Sequence, residues 1–200
     1  MPLGANKAAI MGVAGASAAA DVVLLQTQTA DGDASITFDS GIDSTYGEYI
    51  FGVYNFNPSA NGSSLDMQCN AASATGYNEQ IQSTSFKAVH SDDDTTDAGT
   101  LSYDTSRDQA NGTSNQLIIW KSHNAASANA NGIIHLFNPA STTYVKHFIC
   151  RSQSIDSTSP AYSTDSFIAG YINTTTAIDD IKFSSTEGTF DGVIKMWGVK

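Results

Sequence analysis

Glutamate is nearly absent from this 200-residue chain: only Glu48, Glu79 and Glu187 occur, and the other seventeen of its twenty acidic residues are aspartates. Glu favours helices, whereas Asp competes for backbone hydrogen bonds and collects in turns. A chain so skewed has little capacity for helix. Leucine and lysine are also scarce, while Ser, Thr, Tyr and Phe are plentiful, which points to strands instead. Cations are few as well: nine Lys and Arg against twenty acids leave a formal charge of -11. That field repels phosphate backbones and anionic lipid, so neither nucleic acid nor a membrane surface is an expected partner. No stretch approaches the roughly eighteen consecutive apolar residues that a membrane helix needs. Two cysteines, Cys69 and Cys150, permit one disulfide by parity. A chain of this size does not need one, and two free, largely buried thiols are expected.

Charged residues make up 14 % and apolar residues 40 %, enough for one core beneath a neutral, polar surface. From about Asp21 onward, short apolar or alternating runs are broken by turn residues every eight to fifteen positions. That is the rhythm of an antiparallel sandwich or barrel. Eight to eleven strands are expected, among them VVLLQTQT from Val22, EYIFGVYNF from Glu48, NQLIIWKS from Asn115 and GVIKMWGVK from Gly192. The Asn-Gly pairs at Asn61, Asn111 and Asn131 read as tight reversals, since both residue types tolerate positive φ. Phe-Asn-Pro follows a strand at Phe56 and again at Phe137, where proline removes a ladder donor and ends the strand.

The first twenty residues, MPLGANKAAIMGVAGASAAA, imitate a secretory leader, but their centre is mostly Ala and Gly. Residues 1–25 are expected to be an attachment arm of small residues, ordered by a neighbouring subunit, with residues 26–200 forming the sandwich domain.

Several clusters could carry chemistry. In GIIHLFNPASTTYVKHFICR a tight turn would set His135 opposite either Lys146 or His147. Even two facing imidazoles would need a third ligand and outer support to hold a metal. Cys150 and His147 are three apart and fall on opposite faces of one strand, which excludes a thiolate pair. No GxSxG elbow occurs. A glycosidase pair of carboxyls would have to come from Glu48, Glu79 and Glu187, and nothing in their spacing selects two of them. The loop HSDDDTTDAG offers Asp92, Asp94 and Asp97 as calcium ligands, but without the EF-hand order it reads better as a solvated acidic loop; Asp31 and Asp33 form a shorter version. The Asn-X-Ser/Thr sites at Asn61, Asn111 and Asn173 are unsurprising in so polar a chain. The eight tyrosines, with Trp120 and Trp197, serve chiefly as packing, or else as a sugar-stacking face.

The order of SGIDSTYGEYIFGVYNFNP, GYNEQIQSTSFKAVHSDDD, SYDTSRDQANGTSNQ, FNPASTTYVKHFICRS, AGYINTTTAIDDIKFSS and the terminal GTFDGVIKMWGVK resembles a family of small jelly-roll virion proteins of tailed bacteriophages, especially marine ones. The resemblance runs from about residue 36 to the end. It implies a jelly-roll-like antiparallel β-sandwich and a non-enzymatic, multi-copy part of the virion, either a tail appendage or a head-surface decoration protein. Its implied partners are copies of itself, as trimers in many appendages, and neighbouring virion proteins. It brings no cofactor and no catalytic residue to carry over. The alternative expectation is a carbohydrate-binding adhesin module that recognises host surface glycans.

Overall fold

The computed structural model describes residues 21–95, 99–156 and 161–200. The described residues form no helix and fold into thirteen antiparallel strands. In chain order these are β1 (Val22–Asp33), β2 (Ser35–Phe38), β3 (Glu48–Pro58), β4 (Ser63–Ala71), β5 (Ile81–Ser91), β6 (Thr100–Tyr103) and β7 (Ala110–Gly112). They continue as β8 (Gln116–Ser122), β9 (Ala130–Phe137), β10 (Lys146–Ile155), β11 (Tyr162–Ile172), β12 (Ile178–Ser185) and β13 (Phe190–Val199). Two sheets result, packed as a sandwich. The larger runs β1-β13-β3-β9-β10-β11-β5-β6, with β7 also paired to β5, and the smaller runs β2-β12-β4-β8.

Eight to eleven strands were expected, and the two additional short ones are β6 and β7. Their residues, TLSY and ANG, are half-buried or exposed and carry little apolar alternation, so only pairing with β5 reveals them. Strand β1 starts at Val22, opposite Val199 of β13, so the sheet begins within the segment read as an arm. Residues 1–20 lie outside the described residues.

Two of the three Asn-Gly pairs are not tight reversals. Asn61-Gly62 is one, with Gly62 at φ 83°. Asn111 takes a left-handed φ of 54° inside the short β7. Asn131-Gly132 lies within β9, where Gly132 faces Ser152 of β10 and a Cβ would lie 3.1 Å from that serine's own. There the missing side chain permits close approach of the neighbouring strand's backbone and side chain rather than a turn. The two Phe-Asn-Pro segments do end strands, β3 at Pro58 and β9 at Phe137.

The core follows from strict alternation. Along β10, Lys146, Phe148, Cys150, Ser152 and Ser154 are buried, while His147, Ile149, Arg151 and Gln153 are exposed. Under β3 the interface is aromatic. Phe51 meets Phe38 of β2 edge-on, with centroids 5.4 Å apart, and Phe183 of β12 at 5.5 Å. Under β5, β10 and β11 it becomes polar: Ser152 and Ser154 donate to the carbonyls of Ile118 and Trp120, each at 2.6 Å. Both cysteines are free and buried, and burial pushes the Cys150 thiol up to about 12. That suppresses the thiolate.

Every residue of β4 is buried. Its core face carries Leu65, Met67 and Cys69, and its other face Ser64, Asp66, Gln68 and Asn70, under loops that they hold by hydrogen bonds. Gln68 Nε2 donates to the carbonyls of Glu79, Thr113 and Ser114, and Asn70 Oδ1 accepts from the Tyr77 amide at 2.6 Å. Asp66 is the charged member of this layer. Burial raises its carboxyl to about 6, against the opposing pull of a hydrogen bond from Asn115 and the charge of Lys182.

A carboxyl raised on folding stabilises the fold relative to its high-pH state below the unfolded value. The advantage disappears as pH climbs through about 6. The Asp66→Asn variant removes that dependence. Between pH 4 and pH 7, the wild type should lose about 2–3 kcal/mol of unfolding free energy relative to the variant, measured by urea denaturation at each pH. An unchanged difference between the two pH values would place the Asp66 carboxyl in water.

Candidate functional site

The hairpin does not pair its histidines. β9 and β10 are antiparallel neighbours, but His135 stands opposite Ile149 and Leu136 opposite Phe148, so His135 faces neither Lys146 nor His147. The expected register assumed a tight turn, whereas residues 138–145 form a longer loop. Asn138 adopts φ 46°, Ser141 Oγ accepts from the amides of Thr143 and Tyr144, and the Pro139 carbonyl accepts from the Ile178 amide. His135 Nδ1 instead meets Glu48 Oε1 across β3, and His147 leans on Tyr171 with centroids 5.7 Å apart. Lys146 is buried, its Nζ donating to the Tyr144 carbonyl at 2.8 Å and the Thr174 carbonyl at 3.1 Å.

The other acidic candidates are dispersed. Glu79 Oε1 accepts from the Ala71 amide, and Glu187 sits beyond β12, where its amide donates to Ser63 Oγ. With Glu48 tied to His135, each glutamate serves a different element. In the acidic loop, Asp92 and Asp94 are exposed, Asp94 lies 3.2 Å from His90 Nε2, and Asp93 caps the Thr95 amide. Asp97 lies outside the described residues. Among the described residues, no three His, Cys, Asp or Glu side chains come together as a metal site.

Sequence reasoning missed two arrangements. The first lies at the polar end of the sandwich. Arg107, in the turn after β6, is buried and stacks 4.0 Å over Trp120. Its Nη1 donates to Ser166 at 2.6 Å and its Nε lies 2.9 Å from Asp104 Oδ2, which Lys87 also reaches at 3.2 Å. Desolvation brings the guanidinium down to about 10, against the pull of Asp104 and Asp156. Arg107 is thus a polar plug between sheets rather than a surface charge.

The second arrangement is the outer face of the larger sheet. Register aligns Tyr103, Phe86, Phe167, Arg151, Ile133, Gly52 and Lys195 in one row across seven strands. The next row reads Thr84, Ala169, Ile149, His135, Ile50 and Trp197. Large apolar residues stand in water here: Ile149 is 52 % exposed, Phe86 43 %, Tyr54 42 % and Ile133 41 %. The face has two halves. On β5, β11 and β10, Phe86 and Phe167 stack in parallel at 4.8 Å, with Arg151 4.7 Å over Phe167. An apolar hollow of about 350 Å³ opens beside that stack.

On β3 and β13, Tyr54 and Trp197 meet at 6.4 Å and 70° above Gly52 and border a groove of about 730 Å³. The signal available in the sequence was parity. Tyr49 and Tyr54 lie an odd number apart on β3, and the first is fully buried while the second is exposed.

No family model and no curated protein matches the chain. Among solved structures it is similar to endo-β-1,4-glucuronan lyase from the fungus Trichoderma reesei, at 11 % identity over 87 % of this chain and 79 % of that one. The TM-score of 0.18 is too low for that likeness to carry an argument about fold or activity.

Gly52 is the keystone of the aromatic half. A Cβ there would lie 2.9 Å from both Trp197 Cζ3 and Tyr54 Oη, so the rings rest on bare backbone. Gly52→Ala should lift both rings without unfolding the sheet. Near-UV circular dichroism and Trp fluorescence are expected to change while the far-UV spectrum holds. Identical near-UV spectra would mean that the rings do not occupy that position.

Proposed function

We propose that this chain is a non-enzymatic structural component of a tailed-phage virion, a tail appendage or head-surface protein with jelly-roll-like winding. Its copies meet through the β5, β11 and β10 half of the larger sheet's outer face. The observation that carries the reading is the contiguous apolar cluster of exposed Phe86, Ile149 and Ala169 around the half-buried Phe167. Soluble monomers seldom leave such clusters in water, and they commonly mark contact sites. The chain's order of motifs, which resembles phage virion proteins, supports the same reading.

A second copy suits this half because the charges on it are balanced. Arg151 and Asp165 form a two-bonded pair, at 2.8 Å and 3.2 Å, so the cluster presents little net charge to an identical surface. The remaining charge of -11 opposes association, and salt that screens it should favour the contact.

Light scattering of the full chain tests the contact. A multimeric mass that grows with ionic strength is expected, and Ile149→Asp should drive it toward monomer while the melting temperature changes little, since the site is exposed. A wild-type chain that stays monomeric at high concentration in all salts would contradict the contact. Immunogold labelling of phage particles with an antibody raised against the chain tests the virion assignment, and unlabelled particles would contradict it.

A further inference from the structure

The aromatic half of the outer face is built differently from the apolar half. One bank of its groove is Tyr54 and Trp197, with Ile133 beside them. The floor is Gly52, over which both rings lie. The other bank is planar and polar: the Arg151 guanidinium, the Asp165 carboxylate and the carboxamides of Asn131 and Gln153. Asn131 Oδ1 accepts from the Asn55 amide, and Gln153 Nε2 donates to the Ser154 carbonyl. The second polar atoms, Asn131 Nδ2 and Gln153 Oε1, make no hydrogen bond among the described residues.

We infer that this groove binds a neutral hexose oligosaccharide. A pyranose ring has an apolar C–H face and a rim of hydroxyls. It needs an aromatic surface on one side and planar donors and acceptors on the other, and the groove supplies those two banks facing each other. Its volume of about 730 Å³ lies within the roughly 300–1,000 Å³ of small-molecule sites. Charge selects against an acidic sugar: the Arg151 cation is already satisfied by Asp165, and the chain as a whole carries -11. Lys195, with its Nζ 5.6 Å from the centre of the Tyr54 ring, is the nearby cation that an acidic sugar would use instead.

The inference does not rest on the copy contact proposed above, which is centred on Phe86, Phe167 and Ile149 and shares with the groove only the Arg151–Asp165 pair at its border. The full chain is applied to an array of neutral hexose oligosaccharides alongside uronic-acid-terminated and sialic-acid-terminated ones. The glycan retained is then titrated by calorimetry. Retention of neutral glycans is expected, with Tyr54→Ala weakening binding about tenfold and Gln153→Ala weakening it by a smaller factor.

Both altered residues are exposed, so melting curves like the wild type's keep the test valid even where Trp197→Ala fails to fold. Ile149→Asp should leave the affinity unchanged, so loss of the copy contact and loss of the glycan site remain separate results. An array without neutral glycans, or retention of acidic ones alone with binding lost in Lys195→Ala, would overturn the inference. So would an affinity indifferent to Tyr54→Ala. A change of oligomeric mass in Tyr54→Ala would assign the groove to a second copy instead.

Discussion

Four strands cannot cover nine, and that mismatch organises the molecule. The inner face of the larger sheet must be buried, yet the smaller sheet is wide enough to seal only part of it with apolar side chains. Where the sheets overlap fully, beneath β3, β9 and β13, the interface is the Phe38, Phe51 and Phe183 cluster. Where the smaller sheet runs out, at β8, Ser152, Ser154, Thr164, Ser166, Ser83 and Ser85 take inner positions of β10, β11 and β5. The hydroxyls of Ser152 and Ser154 find β8 carbonyls, that of Ser166 Arg107 and that of Ser83 Gln116. Buried polar groups are tolerable only when paired, so the segment from Asp104 to Gln116 has to fold back as a plug. Its turn, its ion pair with Asp104 and its stacking on Trp120 all serve that end.

The outer face is freed by the same alternation. Parity fixes which residues of each strand must enter the core, and the remaining half answers to whatever the surface contacts. Over β4 of the smaller sheet that half is covered by the chain's own loops, so β4 is buried on both sides. On the larger sheet no loop among the described residues covers the middle strands, and that uncovered surface holds Phe86, Phe167, Ile149, Tyr54 and Trp197. A solvated sheet would ordinarily alternate to polar residues there. Its division into an apolar half and an aromatic-polar groove, with the Arg151–Asp165 pair at the border, is the basis of the two proposed contacts.

The sequence made the fold class legible, because strand alternation and the shortage of Glu and Leu are local signals. Burial of Cys150 opposite exposed His147 followed from period alone. Register did not, because it depends on loop length: the residues 138–145 that looked like a tight turn carry their own hydrogen bonds and shift His135 to Ile149. Asn131-Gly132 misled for a related reason, since glycine signals both a turn and a close approach of neighbouring strands. Arg107 was invisible as a core residue because its burial depends on partners as distant as Ser166. The candidate groove was legible only in parts. Tyr54 and Trp197 could be counted among ten Tyr and Trp residues, but which of them share an open face depends on the pairing of β3 with β13.

Hydroxyl-radical footprinting of the full chain tests the two-contact account most directly. The chain would be followed at low and high concentration, then with a neutral hexose oligosaccharide added. Phe86 and Phe167 should lose reactivity as copies associate, while Tyr54 and Trp197 stay reactive until the sugar is present. Equal protection of all four on association, or none under either condition, would contradict it.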